Sequence, residues 1–96
     1  MYRPLPPCVT IKTSPIHGLG LYAAKKIEAG TSLGIAHVQD DRFENGYIRT
    51  PLGGFFNHSD APNCKTIADG GFRFLVTLRA IEVGEELTAV YALYSL

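Results

Sequence analysis

The most distinctive segment of the chain is Gly53-Gly54-Phe55-Phe56-Asn57-His58-Ser59-Asp60-Ala61-Pro62-Asn63-Cys64. Asn57 and His58 follow two aromatic residues, and each side chain can offer one hydrogen-bond donor and one acceptor. Such a pair suits the recognition of a purine edge, which needs one acceptor and one donor. Taken in isolation, the favoured interpretation is a turn in which these side chains satisfy their own backbone. The segment therefore gains a functional meaning only in combination with others.

Two further segments contain candidate functional residues. The first is Ile16-His17-Gly18-Leu19-Gly20-Leu21-Tyr22, whose glycines allow close approach of the backbone to a ligand and whose amide groups could hold a carboxylate or carbonyl. It is not a dinucleotide-binding fingerprint, because a third glycine and a following helix are missing. The second is Gly84-Glu85-Glu86-Leu87-Thr88-Ala89-Val90-Tyr91, which ends in a tyrosine. Alone, the first segment is most often a turn, and a tyrosine that ends a buried strand is most often a core residue.

Hydrophobic spacing predicts an all-β fold, because helical periodicity is nearly absent and short apolar runs alternate with Gly and Pro. The predicted strands span residues 9–13, 21–24, 33–38, 72–79 and 87–91. Asp69-Gly70-Gly71 predicts a hairpin turn, and residues 39–53 are predicted to be irregular. In the 72–79 strand, alternation places Phe72, Phe74, Val76 and Leu78 on one face and Arg73, Leu75, Thr77 and Arg79 on the other.

An internal repeat is visible. Ile27-Glu28-Ala29-Gly30-Thr31-Ser32-Leu33 matches Ile81-Glu82-Val83-Gly84-Glu85-Glu86-Leu87 at isoleucine, glutamate, glycine and leucine. We interpret each copy as a tight turn that feeds a strand, which suggests a pseudo-symmetric domain. The alternative is that two common turns look alike by chance.

The composition restricts the class of protein. Nine basic and nine acidic residues balance, which argues against a general nucleic-acid binder. No apolar run approaches the roughly 20 residues that span a bilayer, and no signal peptide is apparent, so we expect a soluble intracellular protein. Cys8 and Cys64 are therefore expected to be free thiols. The spacing of the histidines and cysteines matches no zinc pattern, so we expect no metal.

Together, in this order, the three segments resemble the SET-domain protein-lysine methyltransferases. The resemblance covers residues 11–91, within a single expected SET domain of residues 1–96. It implies a β-clip fold of short, mostly antiparallel strands in small curved sheets. It also implies that the Asn-His block and the C-terminal segment thread past each other as a pseudoknot, and that a cofactor cleft and a peptide cleft are joined by a narrow channel.

The resemblance also implies the roles of particular residues. The cofactor is S-adenosylmethionine, with S-adenosylhomocysteine as product. The residues expected to contact it are His17, Leu19, Gly20, Tyr22, Asn57 and His58. Tyr91 is expected at the methyl-transfer point, and the substrate is a protein or peptide that carries a lysine. No direct binding to nucleic acid or membrane is expected.

The chain departs from the family pattern in several places. Only about twenty residues separate Gly34 from Gly54, where many members carry an insert that forms a wall of the peptide groove. Asp60 stands where zinc-tailed members often have cysteine, and we expect no zinc-binding tail. Ala36-His37 stands where many members have an aromatic residue.

The lysine channel could be completed by Tyr47, Phe56, Tyr94 or a second subunit, so a homodimer is a further hypothesis. As isolated aromatics these three are more often core residues. Arg49 could pair with the cofactor carboxylate, although a solvated arginine is the commoner case. The acidic residues could attract a basic peptide but are interpreted as solvated turn residues; they are Asp40, Asp41, Glu44, Glu82, Glu85 and Glu86. The alternative function is a non-catalytic binding module on the same scaffold.

Overall fold

The computed structural model describes residues 5–42 and 46–90. In this part of the chain, eight strands form two four-stranded sheets, and one short helix lies between the fourth and fifth strands in the sequence. The first sheet has the order β1-β2-β8-β5 and the second β4-β3-β7-β6. The elements are β1 (Val9–Thr13), β2 (Leu19–Ala23), β3 (Ser32–Gln39), β4 (Tyr47–Arg49), α1 (Pro51–Phe55), β5 (Asn57–His58), β6 (Cys64–Asp69), β7 (Phe72–Thr77) and β8 (Glu86–Ala89). Neighbouring strands are antiparallel except β5 and β8, which are parallel. The prediction of short strands in small, mostly antiparallel sheets is confirmed.

The five predicted strands correspond to β1, β2, β3, β7 and β8, with shifted bounds in all but β1. The turn at Gly70 and Gly71 is also confirmed, since it joins β6 to β7 in the register Asp69 to Phe72. Within β7, the face that carries Leu75 and Thr77 is the buried one, whereas Phe72 is exposed.

The prediction that residues 39–53 are irregular is wrong, because β4 and the start of α1 lie there. Thr50 caps the helix by accepting a hydrogen bond from the Gly53 amide at 3.3 Å, and Pro51 begins the helix with a preset φ. The Thr50 hydroxyl also donates to the carbonyl of Ile35 at 2.7 Å. These bonds to β3 stabilise a five-residue helix whose own propensity is low.

The two copies of the repeat pack against each other. Ile27 and Ile81 form an antiparallel bridge, with amide-to-carbonyl distances of 2.9 and 2.8 Å in the two directions. The Gly30 amide donates to the carbonyl of Thr77 at 2.9 Å, and the Gly84 amide donates to the carbonyl of Ala23 at 2.8 Å. In each case the turn of one copy bonds the end of the strand that precedes the other copy. The predicted pseudo-symmetry is therefore present as a twofold relation in the hydrogen bonds.

The hydrophobic core draws on both sheets. Its fully buried members include Leu21 and Leu87 from the first sheet and Leu75 from the second, together with Ile81 from the repeat turn. The described residues contain no helix long and apolar enough to cross a membrane.

Candidate functional site

The carboxylate of Glu86 is the centre of a polar cluster on the first sheet. It accepts hydrogen bonds from the Ser14 hydroxyl at 2.8 Å, from the Asn57 side-chain amide at 2.8 Å and from the Tyr22 hydroxyl at 3.3 Å. Glu86 lies on β8, in register with Tyr22 on β2. The interpretation of Glu86 as a solvated turn residue is therefore wrong: antiparallel pairing turns its side chain onto the side of β2 that carries Tyr22.

Asn57 connects the Asn-His block to the glycine-rich turn. Its side chain is buried, with 5% exposure, and its amide nitrogen lies 3.2 Å from the His17 carbonyl and 3.3 Å from the Leu19 carbonyl, in addition to Glu86. One amide group thus contacts residues from both of the other segments. The structure brings together five of the residues predicted from the sequence: His17, Leu19, Gly20, Tyr22 and Asn57.

Gly20 leaves space for the polar cluster at this site. A Cβ atom placed there would overlap the Glu86 carboxylate and lie 3.1 Å from the Asn57 amide nitrogen. The second glycine of the Gly-x-Gly pattern therefore leaves room for the contact between Asn57 and Glu86.

The turn between β1 and β2 exposes the side chains of residues 15–17, whereas that of Ser14 is buried. It is closed by the Ser14 amide, which donates to the Gly18 carbonyl at 2.8 Å, and by the Ser14 hydroxyl, which accepts from the Ile16 amide at 3.0 Å. Ile16 and Leu19 are each 50% exposed, and His17 is exposed. The turn thus offers an open edge beside buried polar groups, which is where a small ligand could be held.

Tyr22 has contacts at its hydroxyl and at one face of its ring. Its hydroxyl lies 3.0 Å from the Thr13 carbonyl and 3.3 Å from Glu86, and the Lys12 ammonium lies 5.9 Å from its ring centroid. Desolvation and the charge of Glu86 raise the pKa of Tyr22 above its ordinary value. A phenol is already protonated at neutral pH at that ordinary value, so the hydroxyl serves as a donor.

Asn63 is a positioning residue that the sequence analysis quoted but did not assign to the site. Its side-chain amide donates to the Glu86 carbonyl at 2.8 Å, and its side-chain oxygen accepts from the Thr88 amide at 2.8 Å. This pair of bonds imitates the pairing of a neighbouring strand and holds the segment after β5 against β8. The signal in the sequence for this role was the position of Asn63 in the same polar segment as Asn57, six residues later.

The end of the described chain lies beside the Asn-His block. His58 pairs with Ala89 across the parallel strands, and the Ser59 amide donates to the Ala89 carbonyl at 3.3 Å. The His58 ring is exposed, and its Nε2 lies 3.1 Å from Asp60. Tyr91 and Tyr94, predicted as the catalytic tyrosine and a channel residue, lie outside the described residues.

A second cluster surrounds His37 on the other sheet. The rings of Tyr47 and Phe56 each approach the His37 ring edge-on, with centroid distances of 6.1 Å. His37 is fully buried, and neither of its ring nitrogens has a hydrogen-bond partner within residues 5–42 and 46–90. Burial, helped by the positive charges of Arg49 and Arg73, lowers the pKa of His37 to about 4. The structure thus brings two predicted channel residues together around a neutral imidazole.

Arg49 lies on β4 in register with His37, so it belongs to this second cluster rather than to the turn between β1 and β2. Cys8 and Cys64 are free thiols, and burial raises the pKa of Cys64 to about 12. Within the described ranges, His, Cys, Asp and Glu side chains form no group of three that could hold a metal ion.

Comparisons with known proteins bear on the family and the fold. The family model of the SET domain matches residues 36–92, more than half of the chain. A proposed histone methyltransferase of Plasmodium falciparum has a similar structure, with a TM-score of 0.70, 20% identity and coverage of 91% of this chain and 94% of that chain. For the methyltransferase domain of human PR domain-containing protein 2, the TM-score is 0.72 and the identity 19%, with coverage of 88% and 77%. At these identities the likeness shows a shared fold. No curated protein sequence matches the chain.

Proposed function

Because the chain belongs to the SET-domain family, we propose that it is an S-adenosylmethionine-dependent methyltransferase, built as a single domain, that acts on lysine side chains of proteins. The observation that carries the proposal is the contact of the Asn57 side chain with two other segments of the chain, the glycine-rich turn and β8. One amide nitrogen meets the carbonyls of His17 and Leu19 and the carboxylate of Glu86. This contact brings together the three segments on which the resemblance depends.

The residues proposed to hold S-adenosylmethionine are His17, Leu19, Gly20, Tyr22, Asn57 and His58. The chemistry of the donor set fits such a molecule, because an anionic carboxylate lies beneath an exposed turn and suits a ligand that carries positive charge. When bound, S-adenosylmethionine supplies a methyl group on a positively charged sulfur. Glu86 keeps Asn57 and Tyr22 oriented, so this part of the site is preorganised.

The aromatic cluster around His37 is the proposed wall of the lysine channel. The substrate amine must lose its proton before it can attack, and a free lysine has a pKa of about 10.4. A channel that runs past the partly exposed Tyr47, over the buried rings of Phe56 and His37, would lower that pKa by desolvation. Arg49 and Arg73, whose positive charges help to lower the pKa of His37, would act on a nearby amine in the same direction by charge repulsion. No strong general base is then needed.

Tyr91 is proposed to orient the substrate amine through its hydroxyl. The chain runs from Ala89, which pairs with His58, to Tyr91 two residues later. Alignment of the attacking nitrogen is chiefly an effect of orientation, and the placement of a single hydroxyl can dominate it. Aromatic faces also tolerate a methylated ammonium by cation–π attraction.

The test has two measurements on the full chain. Calorimetry with S-adenosylhomocysteine reports binding, and transfer of a labelled methyl group to a lysine-rich protein mixture reports activity. We expect Tyr91→Phe to reduce transfer by roughly tenfold or more while binding is retained, since the hydroxyl acts in orientation. Tyr2→Phe is the matched control and should leave both readouts unchanged.

The outcomes separate the two candidate functions. Binding without transfer to any lysine substrate would favour the non-catalytic module. No binding of S-adenosylhomocysteine would contradict the proposal. Identification of the protein in the mixture that carries the label gives the target.

A further inference from the structure

β6 is the long edge strand of the second sheet. It contains six residues, whereas β4 at the opposite edge contains three. The two-residue turn at Gly70 and Gly71 makes Asp69 and Phe72 a hydrogen-bonded pair. Pairing alternates from there, so the amides and carbonyls of Thr66 and Ala68 point away from β7.

Other bonds support this alternation. The Leu78 amide donates to the Asn63 carbonyl at 2.8 Å. Residues 63 and 78 are therefore a hydrogen-bonded pair, as the alternation that starts at Asp69 and Phe72 requires. Thr66 and Ala68 have no other backbone partner among the residues that the structure describes. An edge of this kind is a template for another strand.

The side chains of β6 restrict which strand can add to it. Lys65, Ile67 and Asp69 share one face, and all three are exposed. Neither Lys65 nor Asp69 forms an ion pair within the described part of the chain. A lysine on an edge discourages pairing with arbitrary strands, so a matching strand must offer a carboxylate opposite it.

A second copy of β6 meets that requirement. In an antiparallel pair centred on Ile67, Lys65 of one copy lies opposite Asp69 of the other, and Asp69 lies opposite Lys65 by symmetry. The outward-pointing Thr66 and Ala68 then face each other and can form hydrogen bonds, while the two Ile67 side chains meet on the twofold axis. Registers centred on Thr66 or Ala68 separate the opposite charges.

Apolar surface extends from Ile67 on β6 onto the neighbouring strand β7. Ile67 is 41% exposed and pairs with Phe74 on β7, next to Phe72, which is 40% exposed. The Phe72 and Phe74 ring centroids are 6.4 Å apart. Two copies related by the axis would join these patches into one apolar stripe across the sheet.

We propose that the protein forms a symmetric homodimer through antiparallel pairing of the β6 edges, with Ile67 on the twofold axis and Lys65 opposite Asp69 of the second copy. This dimer joins the two sheets edge to edge into one of eight strands. It does not require that either copy complete the lysine channel of the other. It is therefore independent of the proposed function.

Charge reversal tests the register. Lys65→Asp and Asp69→Lys each set like charges opposite each other at two symmetric places, and each should raise the dimer dissociation constant by about tenfold. The double variant K65D/D69K restores both pairs and should dimerise within about threefold of the unaltered chain. Sedimentation over a wide range of protein concentration measures all four proteins.

Cysteine cross-linking tests the geometry. Ile67→Cys should form an intermolecular disulfide on mild oxidation, because the two side chains meet as a non-hydrogen-bonded antiparallel pair. Ile48→Cys is the matched control, since Ile48 is 37% exposed on the other edge strand and should not cross-link. The unaltered chain controls for Cys8 and Cys64.

Three results would overturn the proposal. They are a monomer at every concentration, a dimer that is insensitive to both single reversals, and a double variant that stays monomeric while circular dichroism shows it folded. A monomer at every concentration would mean that the β6 edge is open to pairing with a strand of another protein.

Discussion

Asn57 carries more hydrogen-bond contacts than its two amide protons can satisfy at once. The distance to Glu86 Oε2, 2.8 Å, is shorter than those to the His17 and Leu19 carbonyls, 3.2 and 3.3 Å. The charge-assisted bond is therefore the strongest of the three. The role of Asn57 as a donor to these three oxygens cannot be performed by an acceptor of the same shape.

Asn57→Asp tests this role. The change keeps the shape but puts a carboxylate against Glu86 and two carbonyls, so we expect the free energy of unfolding at pH 7 to fall by roughly 2–4 kcal/mol. Urea unfolding measures the loss. The double variant N57D/E86Q restores a donor to the pair and should recover at least half of it. If the double variant is no more stable than N57D, the contact with Glu86 is not the main source of the stability that Asn57 provides.

His37 makes stability depend on pH. Its pKa is lowered from 6.5 to about 4 in the folded protein, so between these values the unfolded chain binds more protons. The free energy of unfolding should therefore rise as pH increases from about 4 to 6.5, by roughly 3 kcal/mol from this residue. His37→Phe removes the titrating group and should flatten this part of the profile.

The control for this measurement is His17→Gln, which removes an exposed histidine and keeps the buried His37, so the contribution of His37 to the profile should remain. His37→Phe should also be at least as stable as the unaltered chain at pH 7, since it removes a buried polar ring. Identical pH profiles for H37F and the unaltered chain would show that His37 is not buried in the neutral form.

At the level of elements, α1 connects the two clusters. Its N-cap bonds β3, and Phe56 and Asn57 follow it directly, with one ring in the His37 cluster and one amide in the Glu86 cluster. The position of this short helix thus determines how the proposed channel and cofactor site lie relative to each other.

Adjacent glycines in α1 give a matched test of that position. A Cβ atom on Gly53 would overlap the carbonyl of Ala36, a backbone group of β3 that cannot rotate away, so Gly53→Ala should cost roughly 3 kcal/mol or more. Gly54 has nothing within 4 Å of the same point, and Gly54→Ala should be neutral or stabilise by up to about 1 kcal/mol. Thermal or urea unfolding distinguishes them. Equal effects would mean that α1 does not lie against β3 as described.

Local patterns account for the elements that the sequence analysis predicted. The alternation in β7 and the two glycines after Asp69 act within a few residues, so both were predictable. α1 and β4 depend on bonds to β3, and β6 depends on β7. These elements lie in polar or glycine-rich sequence whose structure is fixed by distant partners, which a local pattern cannot reveal.

For the whole molecule, the SET-type all-β fold expected from three short motifs is confirmed by the family match and by the similar structures. The meeting of the glycine-rich turn with Asn57 followed from the resemblance. Glu86 and Asn63 did not, because their partners lie across strands whose register a sequence does not specify. The repeat, by contrast, was visible in the sequence and corresponds to the reciprocal bonds between the two turns.

This twofold relation makes a quantitative prediction. Gly30 and Gly84 have φ angles of 75° and 87°, and a Cβ atom on either would meet nothing within 4 Å. Alanine at each position therefore costs only backbone strain, about 1–2 kcal/mol. Because each amide donates to the equivalent carbonyl of the other half, Gly30→Ala and Gly84→Ala should reduce the free energy of unfolding equally, within about 0.5 kcal/mol. Urea denaturation of the two single variants would test this. A much larger loss at one turn would show that the halves do not contribute equally to the fold.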